Sequence, residues 1–394
     1  MKLPNPQKIL KAENPYEELK RQAKILRQAV LELCKDRDDL GHVTSSISAI
    51  EPLLAAHAWA DPDCVVLSKG HGWYAHGLLC GVDPEKIKGC QPHNSERGLW
   101  GYTGSLGHGL PLAIGLAKAS PGKRWAVVTG DGEGECGSVY EALSMVRFDD
   151  KLRDTLQVFV DFNGWAAQKR ISRPPACYDG FWHAYSPSLK QTWLEDLKRP
   201  HCKLPYLGCI WYTEKNADIA EIKGHETDWH YRPLTQLGKE VRPGERLKRF
   251  GELLLRHRGK YHEPIYMIDC GWGLDKVAPE IPIENLGIRE QAAVSFCAGV
   301  ALAAQKPVIL YGIGSITVLR ALEQIELDVF QTGAPVKFAL RFPQGLGQSH
   351  AEVSEVMGFL EDGRFLPEGC SWYYVGSKWA NKWLKKRGPQ FLVI

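Results

Sequence analysis

Three short glycine-bearing loops hold the residues of this chain best suited to chemistry. Gly130-Asp131-Gly132-Glu133-Gly134-Glu135-Cys136-Gly137 follows an apolar run at Trp125–Thr129, and Phe162-Asn163-Gly164 follows a second run at Leu156–Asp161. A carboxylate and an amide oxygen brought together make a hard-oxygen site. Mg2+ takes one or two protein carboxylates and completes its octahedron with phosphate and water. The third loop, Gly104-Ser105-Leu106-Gly107, precedes a helical pattern at Leu110–Lys118, and the free backbone N–H groups of a helix start suit phosphate oxygens. Any one of these loops, taken alone, reads equally well as glycines turning a strand into a helix. Three of them, with acid and amide at strand ends, point to a phosphate and cation site.

The elements around them alternate. Leu19, Ala23, Leu26, Val30 and Leu33 predict an amphipathic helix over 15–35. Strands are expected at Cys64–Leu67, Trp125–Thr129, Leu156–Asp161 and Gly208–Thr213, with helices after Gly72, at Leu110–Lys118 and at Val139–Phe148. Residues 165–242 are irregular and rich in Trp, Pro and His, and "RPGE" at 242–245 reads as a linker. A second alternating series follows. Its strands are Pro264–Asp269, Val308–Ile313, Val336–Arg341, Trp372–Val375 and Phe391–Ile394, and its helices lie near 246–257, 289–304, 316–326, 351–359 and 377–386. Such alternation implies an α/β fold of two domains, each a mainly parallel sheet flanked by helices. Ligands of open α/β sheets bind at the carboxyl ends of the strands, where the first two loops lie.

Bulk composition narrows the class. The 394 residues are 44% hydrophobic and 24% charged with a formal net charge of +3, as in a soluble globular protein. No Lys/Arg run with interleaved aromatics suggests a nucleic-acid face. Eleven cysteines contain no C-x-x-C pair, which speaks against a zinc pattern, and the odd count speaks against a disulfide framework. The start, MKLPNPQKILKAENP, lacks the apolar core of a signal peptide. Ala292–Ala304 spans about half a bilayer and reads as a buried helix. The expectation is a soluble, cytoplasmic protein with reduced thiols and no membrane or nucleic-acid partner.

The motifs together resemble the thiamine-diphosphate-dependent transketolase family. "LSKGHGWYAHGLL" (67–79), "TGSLGHGLPLAIGLA" (103–117) and "GDGEGECGSVYEAL" (130–143) are similar to its diphosphate-binding half, and "ENLGIREQAAVSFCAGVALAAQKPVI" (284–309) to its pyrimidine-binding half. The resemblance implies a diphosphate-binding domain with an irregular extension over 1–242 and a pyrimidine-binding domain over 243–394, without the family's third, C-terminal domain. It implies thiamine diphosphate and Mg2+ as cofactors, with the metal on Asp131, Asn163 and the carbonyl of Trp165. Gly104, Ser105, Leu106, Gly107, Gly130 and Gly132 line the diphosphate and thiazolium. Glu290 is the activating carboxylate, a protonated acid at N1′ of the aminopyrimidine whose pKa burial among Leu286, Ile288 and Val294 would raise. Without the motif, Glu290 reads as a helix-start acid favoured by the macrodipole. The resemblance also puts His42, His71, His93, His230 and His350 in the substrate funnel. The implied activity is transfer of a two-carbon ketol unit from a ketose or keto acid to an aldehyde or ketone, in a homodimer with active sites at the interface. A 2-keto acid decarboxylase or carboligase, and a catalytically silent cofactor-binding homologue, are the alternatives.

Departures from the family pattern are informative. The family's relay Glu, five residues after the Asp, is here Cys136, with Glu135 shifted by one and Glu141 in place. The Asp131–Asn163 spacing is two residues longer than usual. The ring that stacks on the pyrimidine lacks a clear counterpart in "LYGIGSITVL", which leaves Tyr311, Ile313 or Ile316. The usual phosphate-gripping Arg, Ser and His also lack matches, which implies a substrate other than a simple sugar phosphate.

Overall fold

A five-stranded and a six-stranded sheet, parallel throughout, organise the chain. The computed structural model describes residues 2–146, 149–166, 169–172, 182–185, 208–213, 233–236, 244–257, 264–268, 273–342, 372–377, 380–385 and 388–394. Two compact units emerge, one mainly of residues 1–166 and 170–239, the other mainly of 240–346 and 350–394.

The first unit opens with α1 (Pro15–Cys34). Its start is fixed by the Asn14 side chain, which accepts from the N–H groups of Tyr16 and Glu17, and by Pro15 in the first turn. Its buried face carries Leu19, Ala23, Leu26, Val30 and Leu33, the stripe read from the sequence. Two helices follow that the sequence reading did not contain, α2 (Val43–Ser48) and α3 (Ile50–Trp59). Every residue of α2 is buried, as are most of α3, so neither shows the one-sided stripe that marks a surface helix. Then come β1 (Val65–Leu67), α4 (Tyr74–Leu79), α5 (Gly109–Ala119), β2 (Trp125–Gly130), α6 (Gly137–Val146), α7 (Asp150–Thr155), β3 (Leu156–Phe162), β4 (Trp182–Tyr185) and β5 (Gly208–Tyr212). The sheet order is β1-β2-β3-β5-β4. Every residue of β2 and β3 is buried, as in strands covered on both faces. Their register sets Gly130 opposite Asp161.

The second unit runs from a helix at Glu245–His257 through β6 (Ile265–Met267), β7 (Ile283–Asn285), a helix at Glu290–Ala304, β8 (Val308–Ile313), β9 (Val336–Arg341), β10 (Trp372–Tyr374) and β11 (Gln390–Val393). Its order is β10-β11-β9-β8-β6-β7. Side-chain alternation splits the core in two. Val308 and Leu310 pack with Val336, Phe338 and Leu340 on one face, whereas Ile309 and Tyr311 join Phe250 and Trp383 on the other. The single helix expected at 316–326 is broken into Gly314–Arg320 and Leu322–Gln324, then widens into a π-helical stretch at Ile325–Gln331. The helix expected at 351–359 lies outside the described residues. No described helix is long and apolar enough to cross a membrane.

Candidate cofactor site

Because β2 and β3 are paired neighbours, the loops that leave them open at one end of the sheet. The N–H of Asp131 donates to the carbonyl of Asp161 at 3.1 Å. The Asp131 side chain is buried. Its Oδ1 accepts from the N–H of Gly132 at 2.9 Å and its Oδ2 from the N–H of Gly164 at 2.7 Å. Asn163 Oδ1 accepts from the N–H of Trp165 at 3.1 Å, an Asx turn. Its Nδ2 lies 3.4 Å from both Asp161 Oδ2 and Ser48 Oγ. The carboxylate of Asp161 sets the amide: nitrogen faces the negative charge, so the oxygen points the other way. Asp131, Asn163 and the Trp165 turn, singled out separately in the sequence, are thus gathered in one loop pair.

Beneath this pair sits a charged cluster that the sequence reading missed. Lys69 Nζ lies 2.5 Å from Asp161 Oδ2 and 3.1 Å from Ser48 Oγ, both charged side chains being almost fully buried. Ser48 Oγ donates to Asp161 Oδ2 at 2.7 Å, and Thr213 Oγ1 donates to Asp161 Oδ1. The available signals were an acid closing an apolar strand, LQVFVD, and a lysine within the "SKGHG" motif.

The glycine loop is tied to the same place through Glu133, also missed. One carboxylate oxygen accepts from Ser68 Oγ at 2.7 Å and the N–H of Gly107 at 2.8 Å, and the other accepts from the N–H of Gly130 at 2.9 Å. Burial pushes the Glu133 carboxyl above the usual range, against the pull of these three donors. Gly107 has φ +84°, and a Cβ there would fall 2.5 Å from Ser138 Oγ and 2.9 Å from Cys136 Cβ. Cys136, standing where the relay acid was expected, therefore packs against the glycine loop. At the loop's entry, the N–H of Gly70 donates to the Thr103 carbonyl at 3.1 Å. A Cβ on Gly70 would meet Thr103 Oγ1 at 2.4 Å, so "SKGHG" and "TGSLG" can touch only through glycine.

Of the funnel histidines, His42 and His71 meet, their ring centroids 5.1 Å apart. His42 takes the left-handed conformation at φ 57°, directly before α2, at a cost of about 1–2 kcal/mol for a residue with a Cβ. His93 sits in a separate exposed setting, its Nδ1 accepting from the N–H of Gly101 at 3.1 Å beside Trp100 and Tyr102. His230 and His350 lie outside the described residues.

In the second unit, Glu290 begins its helix and is 5% exposed, with Ile288 and Val294 buried beside it. Its Oε1 lies 3.2 Å from Arg320 Nη1, a partner absent from the sequence reading. Tyr311 is corrected: its ring is fully buried and stacks on Phe250 at 5.9 Å inside the core, because even positions of β8 face one layer and odd ones the other. No face of that ring is open to a ligand. Of the three candidates, Ile316 is the one with part of its surface accessible at the carboxyl end of β8.

An α/β unit whose neighbouring strand ends present an acid, an amide and a glycine cradle defines a domain that binds a diphosphate cofactor. Comparison with known proteins gives it a family. The N-terminal domain family of 1-deoxy-D-xylulose-5-phosphate synthase matches residues 2–173. One of the two subunits of an apulose-4-phosphate transketolase from Actinobacillus succinogenes is 29% identical over 262 residues, covering 55% of this chain and 91% of that protein. A 6-deoxy-6-sulfo-D-fructose transketolase subunit from a Clostridium species is 31% identical over 176 residues, covering 37% and 62%. A 1-deoxy-D-xylulose-5-phosphate synthase from Dictyoglomus turgidum is 24% identical over 401 residues, covering 82% and 63%. The match thus spans most of the first relative and less than two thirds of the other two. The N-terminal domain of this chain belongs to the thiamine-diphosphate-dependent transketolase family, and its relatives support a transketolase-type transferase.

Proposed function

We propose that the chain is a thiamine-diphosphate- and Mg2+-dependent transketolase-like enzyme moving a two-carbon ketol unit from a ketose or keto acid to an aldehyde or ketone. The observation that carries this reading is the convergence of Asp131 and Asn163 at the ends of β2 and β3, with Glu133 tying the Gly104–Gly107 loop to the same strand end. The donor set fits the cation. Each oxygen of Asp131 uses one lone pair on a backbone N–H and keeps another, and the Asn163 oxygen is turned away from Asp161. Hard oxygens of this kind, with a backbone carbonyl from Trp165, suit Mg2+ at about 2.1 Å.

Thiamine diphosphate, when bound, supplies an acidic ring carbon that can hold a two-carbon unit while donor and acceptor exchange. The chain supplies everything around it. Asp131, Asn163 and Trp165 hold the metal, and Gly104 to Gly107 with Gly130 and Gly132 offer N–H groups and close backbone approach to the diphosphate. Glu290 keeps a proton at N1′ of the aminopyrimidine. His42 and His71, joined by His93, His230 and His350, donate to substrate hydroxyls and move protons at the reacting carbonyl. The relatives' names specify sugars with an anionic end, apulose 4-phosphate and 6-deoxy-6-sulfo-fructose. This chain lacks the family's usual phosphate anchors, so we assign it an unphosphorylated, carrier-linked or nucleotide-linked substrate.

Calorimetric titration with thiamine diphosphate in excess Mg2+ tests the site. Asp131→Ala should lower affinity by more than the roughly 10–100-fold that loss of an outer partner of a metal ligand costs, with unchanged circular dichroism. Native affinity in that variant would place the cofactor elsewhere.

A further inference from the structure

Away from the cofactor loops, the first unit gathers three metal-competent side chains: His57 on α3, His76 on α4 and Cys80 at the end of α4. One ligand atom from each lies within 4.8 Å of the other two. His76 and Cys80 are four residues apart and so share a helix face, and the ring of His57 stands 5.3 Å from that of His76. Nε2 of both histidines is buried and has no hydrogen-bond partner among the described residues. His76 itself is fully buried, so water does not make up the deficit at its ring.

Gln91 settles the state of His76. The Gln91 Nε2 lies 3.2 Å from the Trp100 carbonyl and 3.4 Å from both the Gly101 carbonyl and Thr103 Oγ1. An amide end surrounded by acceptors is the nitrogen end. The oxygen end therefore faces His76, whose Nδ1 lies 2.8 Å away and must donate. Nε2 then carries the lone pair, on the side away from Gln91. A histidine whose second nitrogen donates to a fixed acceptor is the usual arrangement of a metal ligand, because the outer partner sets tautomer and ring angle.

We propose that His57, His76 and Cys80 bind a borderline-soft divalent cation, Zn2+ in the first place, with a fourth position for water or a further side chain. Two imidazoles and a thiolate suit zinc and do not suit Mg2+. Tetrahedral zinc sets such ligands roughly 3.3–3.7 Å apart, so the trio closes by about 1 Å. Burial holds both imidazoles neutral, that of His76 down to about 4, and pushes the Cys80 thiol up to about 12. Binding therefore releases one proton, from Cys80 to solvent. The role is to staple α3 to α4. Through Gln91 the staple also holds the Trp100–Thr103 segment that leads into the Gly104–Gly107 loop. The cysteine spacing carried no zinc signal because the ligands come from two helices and only one is a cysteine.

The test uses the full chain, stripped with a chelator and kept in excess Mg2+ so that hard-oxygen sites are filled. Titration with Co2+ should reach about one equivalent with a thiolate-to-cobalt charge-transfer absorption that Zn2+ abolishes. X-ray absorption of the zinc-loaded protein should show two nitrogen neighbours and one sulfur neighbour. Cys80→Ser should remove the charge-transfer band, and His76→Gln should lower bound metal to less than about a tenth of an equivalent, with circular dichroism unchanged. A wild-type protein without the band overturns the proposal, as does a band that survives Cys80→Ser. Should either variant fail to fold, the wild-type absorption spectrum still decides, since an all-oxygen or sulfur-rich shell is incompatible with this trio.

Discussion

The Lys69–Asp161 pair shows what single residues do beneath the proposed metal site. Taking both charges out of water is costly, and their attraction offsets that cost only because Ser48 and Thr213 fill the remaining acceptor sites of Asp161. Removing one partner leaves a buried charge without compensation. Lys69→Met should therefore destabilise the protein by about 3–5 kcal/mol, read as a lowered urea midpoint. A loss under about 1 kcal/mol, the worth of an exposed pair, would show that the pair is not buried in solution. Asp131 and Asn163 were legible in the sequence because strand-end loops are local and glycine marks them. Lys69, Asp161 and Glu133 were not, because their partners lie tens of residues away and only the sheet order brings them together. The misreading of Tyr311 has the same origin. A strand position names two possible faces, and the layer each one meets is a tertiary fact.

At the scale of elements, the site is three loops held as one by Glu133. Its two oxygens serve three donors on Ser68, Gly107 and Gly130. Glu133→Gln keeps the shape but turns an NH2 group toward at least one of them, and a donor facing a donor leaves both unsatisfied. Each buried orphan costs about 1–3 kcal/mol, so the variant should lose roughly that much in thermal unfolding. It should also bind thiamine diphosphate more weakly, because Gly107 is no longer anchored to the loop of Asp131. A variant of native stability and affinity would mean the loops hold one another without Glu133. The paired strands were readable because fully buried parallel strands are continuous apolar runs: Val308–Ile313 and Val336–Arg341 were placed to the residue. The helices α2 and α3 escaped because a helix buried on most sides has no stripe to read. The break after Arg320 likewise leaves no breaker residue in the sequence.

At the scale of the whole molecule, the resemblance places the two ends of the cofactor on different subunits of a homodimer. Phe296 and Leu302 on the helix of Glu290, and Leu319 and Leu327 nearby in sequence, are 44–46% exposed, apolar area that a second copy would cover. Mixing inactive Asp131→Ala chains with inactive Glu290→Gln chains at equal amounts should restore about a quarter of native sites, since half the dimers are mixed and each has one intact site. No recovery in a mixture shown to exchange subunits would assign each site to a single chain. Substrate choice belongs to this scale too, because the funnel mouth draws on distant segments. A sugar phosphate is a dianion and needs charge-assisted, preferably bidentate donors. The serine expected after the first strand of the second unit has no match in "DCGWGL", and "VKFALRFPQGLG" lacks the expected histidine. Of the possible replacements, Arg341 and Arg249, the second is already paired with Glu245 at 3.0 Å. Losing two or three contacts at roughly 1.5–3 kcal/mol each weakens a phosphorylated substrate by several orders of magnitude. Turnover on xylulose 5-phosphate with ribose 5-phosphate should accordingly fall far below turnover on unphosphorylated donors and acceptors. Efficient use of the phosphorylated pair would instead show that Arg341 and its neighbours rebuild the grip, and the substrate would then be an ordinary sugar phosphate.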